Sequence, residues 1–113
     1  YNLLKRFILQ VTNIFDNIPT QLHQELFQDI FSKDGLKIQR IVSQGEATQD
    51  DKWYIQEDDE WVIVLQGEAI LCFEDDSDIK LSSGDYIHIP AHKKHKVSWT
   101  SSDEQTVWLA VHY

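Results

Sequence analysis

An all-β sandwich or barrel is predicted by two observations. Short runs rich in β-branched and aromatic residues recur along the chain, roughly eight to ten of them, and turn signals part them at intervals of roughly 8 to 12 residues. Neither internal repeats nor low-complexity linkers interrupt the pattern, and 113 residues are enough for one core and too few for two.

Residues 1–18 carry apolar side chains without a clean period and stop short of Pro19, which reads as a short strand or a packed arm. Asp34 and Gly35 form a turn signal between two alternating runs, 26–32 and 36–43, and predict a hairpin; residues 22–30 also have a helical reading. A polar loop over 44–52 leads to WYIQ and an acidic turn at 57–59. Residues 60–67 (EWVIVLQG) then run into EAILCF, with Gln66 and Gly67 between them, and the pair reads as a second hairpin. The acidic turn EDDSD, a short strand at 79–81 and a turn at 82–85 follow. Strand YIHI ends at Pro90, AHKK forms a loop, HKVSW is the next strand, and TVWLAVHY is expected to close the sheet. The expected organisation is one domain over 1–113, with an arm at 1–18 and a barrel over 25–113.

A net charge of −9 sets the surface against nucleic acid and anionic membrane. The basic run Lys93, Lys94, Lys96 is too short to reverse this and reads as a solvated loop. The single cysteine, Cys72, cannot form an internal disulfide, and its place in AILCF suits a core residue of a reducing compartment. The stretch LLKRFILQVTNIF is broken by Lys5, Arg6, Gln10, Thr12 and Asn13 and lacks a small-residue cleavage site. It reads as neither a membrane span nor a signal peptide, and the cytoplasm is the expected location.

Alternation along a strand assigns faces. Glu60, Val62 and Val64 share one, so a carboxylate heads a core face and needs a metal, a proton or a partner. Trp61, Ile63 and Leu65 make the opposite face apolar too, which favours a second layer or a partner chain and hence a homodimer. In YIHI the isoleucines share a face, leaving His88 at the surface. His95, Val97 and Trp99 alternate together, so His95 points inward if Val97 does. His112 shares a face with Trp108 and Ala110 and reads as structural.

These residues resemble the cupin superfamily over roughly positions 45–100. Gly84, Pro90 and His95 fit the second cupin motif, G-x5-P-x-G-x2-H-x3-N, with His92 at the usual glycine and Trp99 at the usual asparagine. Glu60 and Gly67 fit the end of the first motif, G-x5-H-x-H-x(3 to 4)-E-x6-G, but no histidine lies between Gly45 and Glu60. The shorter gap places Tyr54 and Gln56 at the two histidine positions; the longer gap places Trp53 and Ile55 there, which cannot bind metal. The resemblance implies a jelly-roll barrel (a double-stranded β-helix) and a site built on two of four family ligands, Glu60 and His95. The overall pattern, including WY-x-Q before Glu60 and the terminal WLAVHY, also resembles the small single-domain bacterial cupins of unassigned function, and the fold alone assigns no reaction.

Three functional readings follow from the resemblance. One is a metal-dependent enzyme acting on a small polar molecule, with Fe, Mn, Ni or Zn on Glu60, His95 and His92 and with Tyr54 as acid or orienting donor. Another is a metal-free binding or sensor module for a sugar, an amine or a small acid, in which Tyr54, Gln56, Glu60, His92 and His95 supply hydrogen bonds and Trp53 and Trp99 supply stacking. In the third, Glu60 is a structural group tied to His95 or Tyr54.

Overall fold

The computed structural model of the protein describes residues 9–48, 52–74 and 78–113; residues 1–8 of the arm, 49–51 of the polar loop and 75–77 of the EDDSD turn lie outside them. The strands in chain order are β1 (Leu26–Lys33), β2 (Leu36–Ser43), β3 (Glu60–Gln66), β4 (Glu68–Phe73), β5 (Ile79–Ser82), β6 (Tyr86–Ile89), β7 (His95–Thr100) and β8 (Thr106–His112). They form a five-stranded sheet in the order β1-β2-β8-β3-β6 and a three-stranded sheet in the order β5-β4-β7, each antiparallel throughout. The all-β class expected from the sequence is the observed one. Among the described residues no helix is long and apolar enough to cross a membrane.

The first hairpin forms as expected, and the strand reading of residues 26–30 replaces the helical one. Asp34 and Gly35 take φ of 36° and 83°, the two positive values that a two-residue turn needs to match the twist of its strands.

The second expected hairpin does not form, because β3 and β4 belong to different sheets. Gly67, at φ 90°, turns the chain through a corner directly against the start of β8. A Cβ built there would lie 2.7 Å from the Thr106 Cα, so only glycine lets the corner close. A bulge between Val64 and Gln66 helps to bend the chain into it. Strand β8 also departs from expectation. It runs through the middle of the larger sheet, paired with β2 on one side and β3 on the other, instead of closing it.

The core lies between the sheets. Val62, Val64, Trp108 and Ala110 from the larger sheet meet Ala69, Leu71, Phe73 and Leu81 from the smaller, all buried. Trp61, Ile63 and Leu65 on the other face of β3 are half-buried.

No strand forms over the described part of the arm, 9–18, which is pinned as a turn. The Asn13 carboxamide accepts the Phe15 N–H at 2.8 Å, and the buried Arg40 guanidinium reaches out from β2 to the carbonyls of Ile14 (2.9 Å) and Asp16 (2.6 Å). Its Nε and Nη2 both donate to the Gln28 side-chain oxygen. Arg40→Met keeps the length and removes every donor, so it is expected to cost about 2 kcal/mol, the range for charged hydrogen bonds. Urea unfolding measures that loss, and faster chymotryptic cleavage at Phe15 should accompany it. An unchanged midpoint and cleavage rate would show that the clamp holds nothing.

The opposite end of the chain is anchored next to the start of β3. Asp59 and Tyr113 exchange both backbone hydrogen bonds, at 2.8 and 3.0 Å. The Asp59 carboxylate accepts the Ala91 N–H at 2.9 Å and faces His88 Nε2 at 3.2 Å. These two contacts, the Ala91 N–H first, hold its pKa below the usual carboxylate range. His88 stands at the surface, as alternation with the buried Ile89 requires.

Candidate functional site

A cavity of about 210 Å³ opens between the two sheets at the end where β3 and β7 begin. Its walls are mostly apolar, with Ile41, Val62, Leu71, Ile89, Val97 and Trp108 facing inward and Phe27 at the edge strand. The polar groups lining it are Glu25, Gln39, Tyr54, Gln56, Glu60, His95 and His112.

Glu60 is the first residue of β3 and His95 the first of β7, so the two sheets bring them together across a separation of 35 positions in sequence (95 minus 60). The two residues are 8% and 5% exposed, with Glu60 Oε1 and His95 Nε2 3.7 Å apart. The Lys93 carbonyl faces His95 Nδ1 at 2.9 Å. A carbonyl only accepts, so Nδ1 carries the ring hydrogen, and in the neutral ring Nε2 presents its lone pair toward Glu60.

Tyr54 and Gln56 reach the cavity because the segment containing them lies along β7. Tyr54 and His95 exchange backbone hydrogen bonds (2.7 and 3.0 Å), and the Gln56 carbonyl accepts the His92 N–H at 2.8 Å. Alternation along this segment then turns Gln56 inward and sets Tyr54, 45% exposed, at the cavity rim. Ile55 points away and is 55% exposed, while Trp53 lies under the Lys96 ammonium, 4.6 Å from its ring centre. The pair at 54 and 56, and not the pair at 53 and 55, occupies the cavity.

Gln56 extends the site. Its amide nitrogen donates to Glu60 Oε1 at 2.7 Å, and its oxygen faces His112 Nδ1 at 3.0 Å. The other ring nitrogen of His112 faces the Gln39 oxygen at 3.2 Å, and the Gln39 amide nitrogen donates to Asp29 at 2.9 Å. His112, read from sequence as structural, is therefore a cavity residue held between two glutamines. Gln39 and His112 were not singled out as a pair because they are 73 positions apart and meet only through the pairing of β2 with β8. The one local signal was a polar residue at an inward position of each strand, Gln39 beside Ile41 and His112 beside Ala110.

A second polar chain lies under Trp108. Its indole N–H donates to Ser43 Oγ at 3.3 Å, and Ser43 donates to Glu25 at 2.7 Å. Burial pushes the Glu25 pKa up, the Ser43 hydrogen bond opposes this, and the nearby Glu46 charge adds to it.

Two expected site residues lie elsewhere. His92, expected as a third metal ligand, takes φ 68° at the position where the cupin motif has glycine. That conformation turns its side chain outward. It is exposed, 3.8 Å from Glu57, in a shallow depression shared with Glu74, Lys93 and Lys94. Trp99, expected to stack on a ligand, faces outward and is 41% exposed. The pairing of β4 with β7 shifts by one residue, Leu71 opposite Val97 but Ile70 opposite Trp99, and Ser98 is the extra residue. The bulge reverses the alternation after Val97, so His95 and Val97 point inward and Trp99 does not.

The donor set does not fit the metal centre that the family implies. Glu60 and His95 remain, but Gln56 turns an amide N–H toward Glu60, and both nitrogens of His112 face glutamine oxygens. Among the described residues no three His, Cys, Asp or Glu side chains converge as a metal site would require.

Comparison with known proteins places this geometry. A protein from Ralstonia eutropha JMP134, named as a "putative mannose-6-phosphate isomerase", is 42% identical, and the match covers 92% of this chain and 97% of that one with a TM-score of 0.88. A cupin superfamily protein from Desulfitobacterium hafniense DCB-2 is 26% identical over 84% of this chain and 82% of its own, with a TM-score of 0.69. A Thermus thermophilus protein, 17% identical, shares the fold at a TM-score of 0.75 over 92% of this chain and 96% of its own. No curated protein matches the chain. The cupin domain family matches residues 41–112, which span β3 to β8 and both Glu60 and His95, and the chain belongs to the cupin family.

Proposed function

We propose that the protein binds a small organic molecule in the cavity between its sheets without a resident metal ion. The observation that carries this reading is the direction of the polar side chains. His95 is turned to the Lys93 backbone carbonyl, and Glu60, Gln56, His112, Gln39 and Asp29 engage one another in sequence instead of converging on one point. A metal needs several lone pairs aimed at a common centre, and here one carboxylate and one imidazole nitrogen are so placed. The apolar walls suit an organic body, and the buried Glu60 and His95 suit the polar group that orients it.

Thermal unfolding in the presence of a chelator, against a panel of amines, alcohols, sugars and small acids, tests the reading. A ligand held at 100 times its Kd is expected to raise Tm by roughly 10 °C, with or without chelator. Stoichiometric Fe, Mn, Ni or Zn in the purified protein, with ligand binding lost on its removal, would restore the metal-dependent enzyme.

A further inference from the structure

We propose that the ligand is an organic cation, a protonated primary amine carried on a small apolar or aromatic body, whose ammonium group bridges Glu60 and His95. The proposal rests on the reading of a metal-free cavity and names the chemistry of its occupant.

Hydrogen placement carries the first step. The Lys93 carbonyl takes the Nδ1 hydrogen of His95, and the glutamine oxygens face both nitrogens of His112, so with the His95 ring neutral neither imidazole aims a hydrogen into the cavity. At its polar end the cavity presents the Glu60 carboxylate and His95 Nε2, an acceptor in the neutral ring, on two buried residues with these atoms 3.7 Å apart. An ammonium has three hydrogens and no lone pair, and it satisfies both at once. A carboxylate or phosphate ligand would place a further set of acceptors against them.

Charge points the same way. Among the described residues lining the cavity there is no lysine or arginine, and Glu25 contributes a second carboxylate. Burial already raises the Glu25 pKa, so another anion nearby would add repulsion in a poorly solvated place. The name given to the Ralstonia eutropha relative concerns a sugar phosphate. Among the described residues lining this cavity, no lysine or arginine supplies the cationic partners that a phosphate group calls for.

Size and wall chemistry define the rest of the ligand. A cavity of roughly 150 Å³ lined by aliphatic and aromatic side chains holds benzene. At about 210 Å³, with Ile41, Val62, Leu71, Val97 and Trp108 around it, this one has room for a single ring and a one-carbon arm.

Benzylamine, benzyl alcohol and benzoate share a ring and differ in the head group. Isothermal titration of these three and of mannose 6-phosphate, in buffer containing chelator, tests the proposal. Benzylamine is expected to bind about tenfold more tightly than benzyl alcohol, the step between a charge-assisted and a neutral hydrogen bond, with benzoate and mannose 6-phosphate weakest. Glu60→Gln should bring the amine-to-alcohol ratio close to one. If that variant does not fold, the wild-type ranking decides the matter alone. Benzoate or mannose 6-phosphate binding most tightly, a preference for amine that survives Glu60→Gln, or no binding by any probe overturns the proposal. Equal binding of amine and alcohol under chelator overturns the cation and leaves the metal-free cavity standing. Binding that appears only when a divalent metal replaces the chelator overturns both.

Discussion

Gly67→Ala is expected to lower the free energy of unfolding by about 2 to 5 kcal/mol, a large share of the roughly 5 to 15 kcal/mol that holds a domain together. Two costs add. An L-residue at φ 90° pays about 1 to 2 kcal/mol for the left-handed conformation. The new methyl also meets the Thr106 Cα at 2.7 Å and its Cβ at 2.9 Å, and forcing these apart costs about 1 to 3 kcal/mol more. Since one of the atoms met is backbone, a rotamer change cannot relieve it. Gly84 provides the internal control: its φ is 92°, yet a Cβ there meets nothing within 4 Å. Gly84→Ala should show the conformational cost alone. The difference between the two urea midpoints measures the contact at the corner, and equal losses would mean that Thr106 yields freely.

Trp108→Ala should cost about 3 to 5 kcal/mol, the usual range for deleting a buried indole. The side chain is 3% exposed at the centre of the larger sheet, where it belongs to the core and walls the cavity at the same time. Its removal therefore takes out packing and enlarges the cavity. Trp108→Phe separates the components, keeping most of the packing and losing the hydrogen bond to Ser43, for about 1 kcal/mol. Chemical denaturation followed by far-ultraviolet circular dichroism reads both. A Phe variant as unstable as the Ala variant would place the weight on the hydrogen bond instead of the packing.

Features settled within a few residues were legible in the sequence. Asp34 and Gly35 alone define a turn that joins alternating runs, and the observed hairpin is there. The spacings from Glu60 to Gly67 and from Gly84 to His95 were likewise enough to mark the two strands whose first residues meet in the cavity. Features settled by distant contacts were not. Whether β4 folds back on β3 or crosses to the other sheet depends on Thr106 standing 39 positions beyond Gly67 (106 minus 67). Trp99 left the expected face because a single extra residue, Ser98, entered the pairing with β4, and no period in HKVSW announces it. His92 departed because a left-handed turn needed at that position aims its side chain outward. His112 gained its role from residues 56 and 73 positions away.

The two glutamines beside His112 have one further consequence. Each amide turns its nitrogen to a carboxylate, Asp29 on one side and Glu60 on the other, and so each turns its oxygen to the imidazole. The string is symmetric about its centre: each amide donates away from the ring, and a carboxylate stands at either extremity. No single amide can reverse without setting two lone pairs or two hydrogens face to face, so the five side chains order as one unit. An exposed aspartate on an edge strand thereby orients Gln39, and the buried Glu60 orients Gln56 at the cavity.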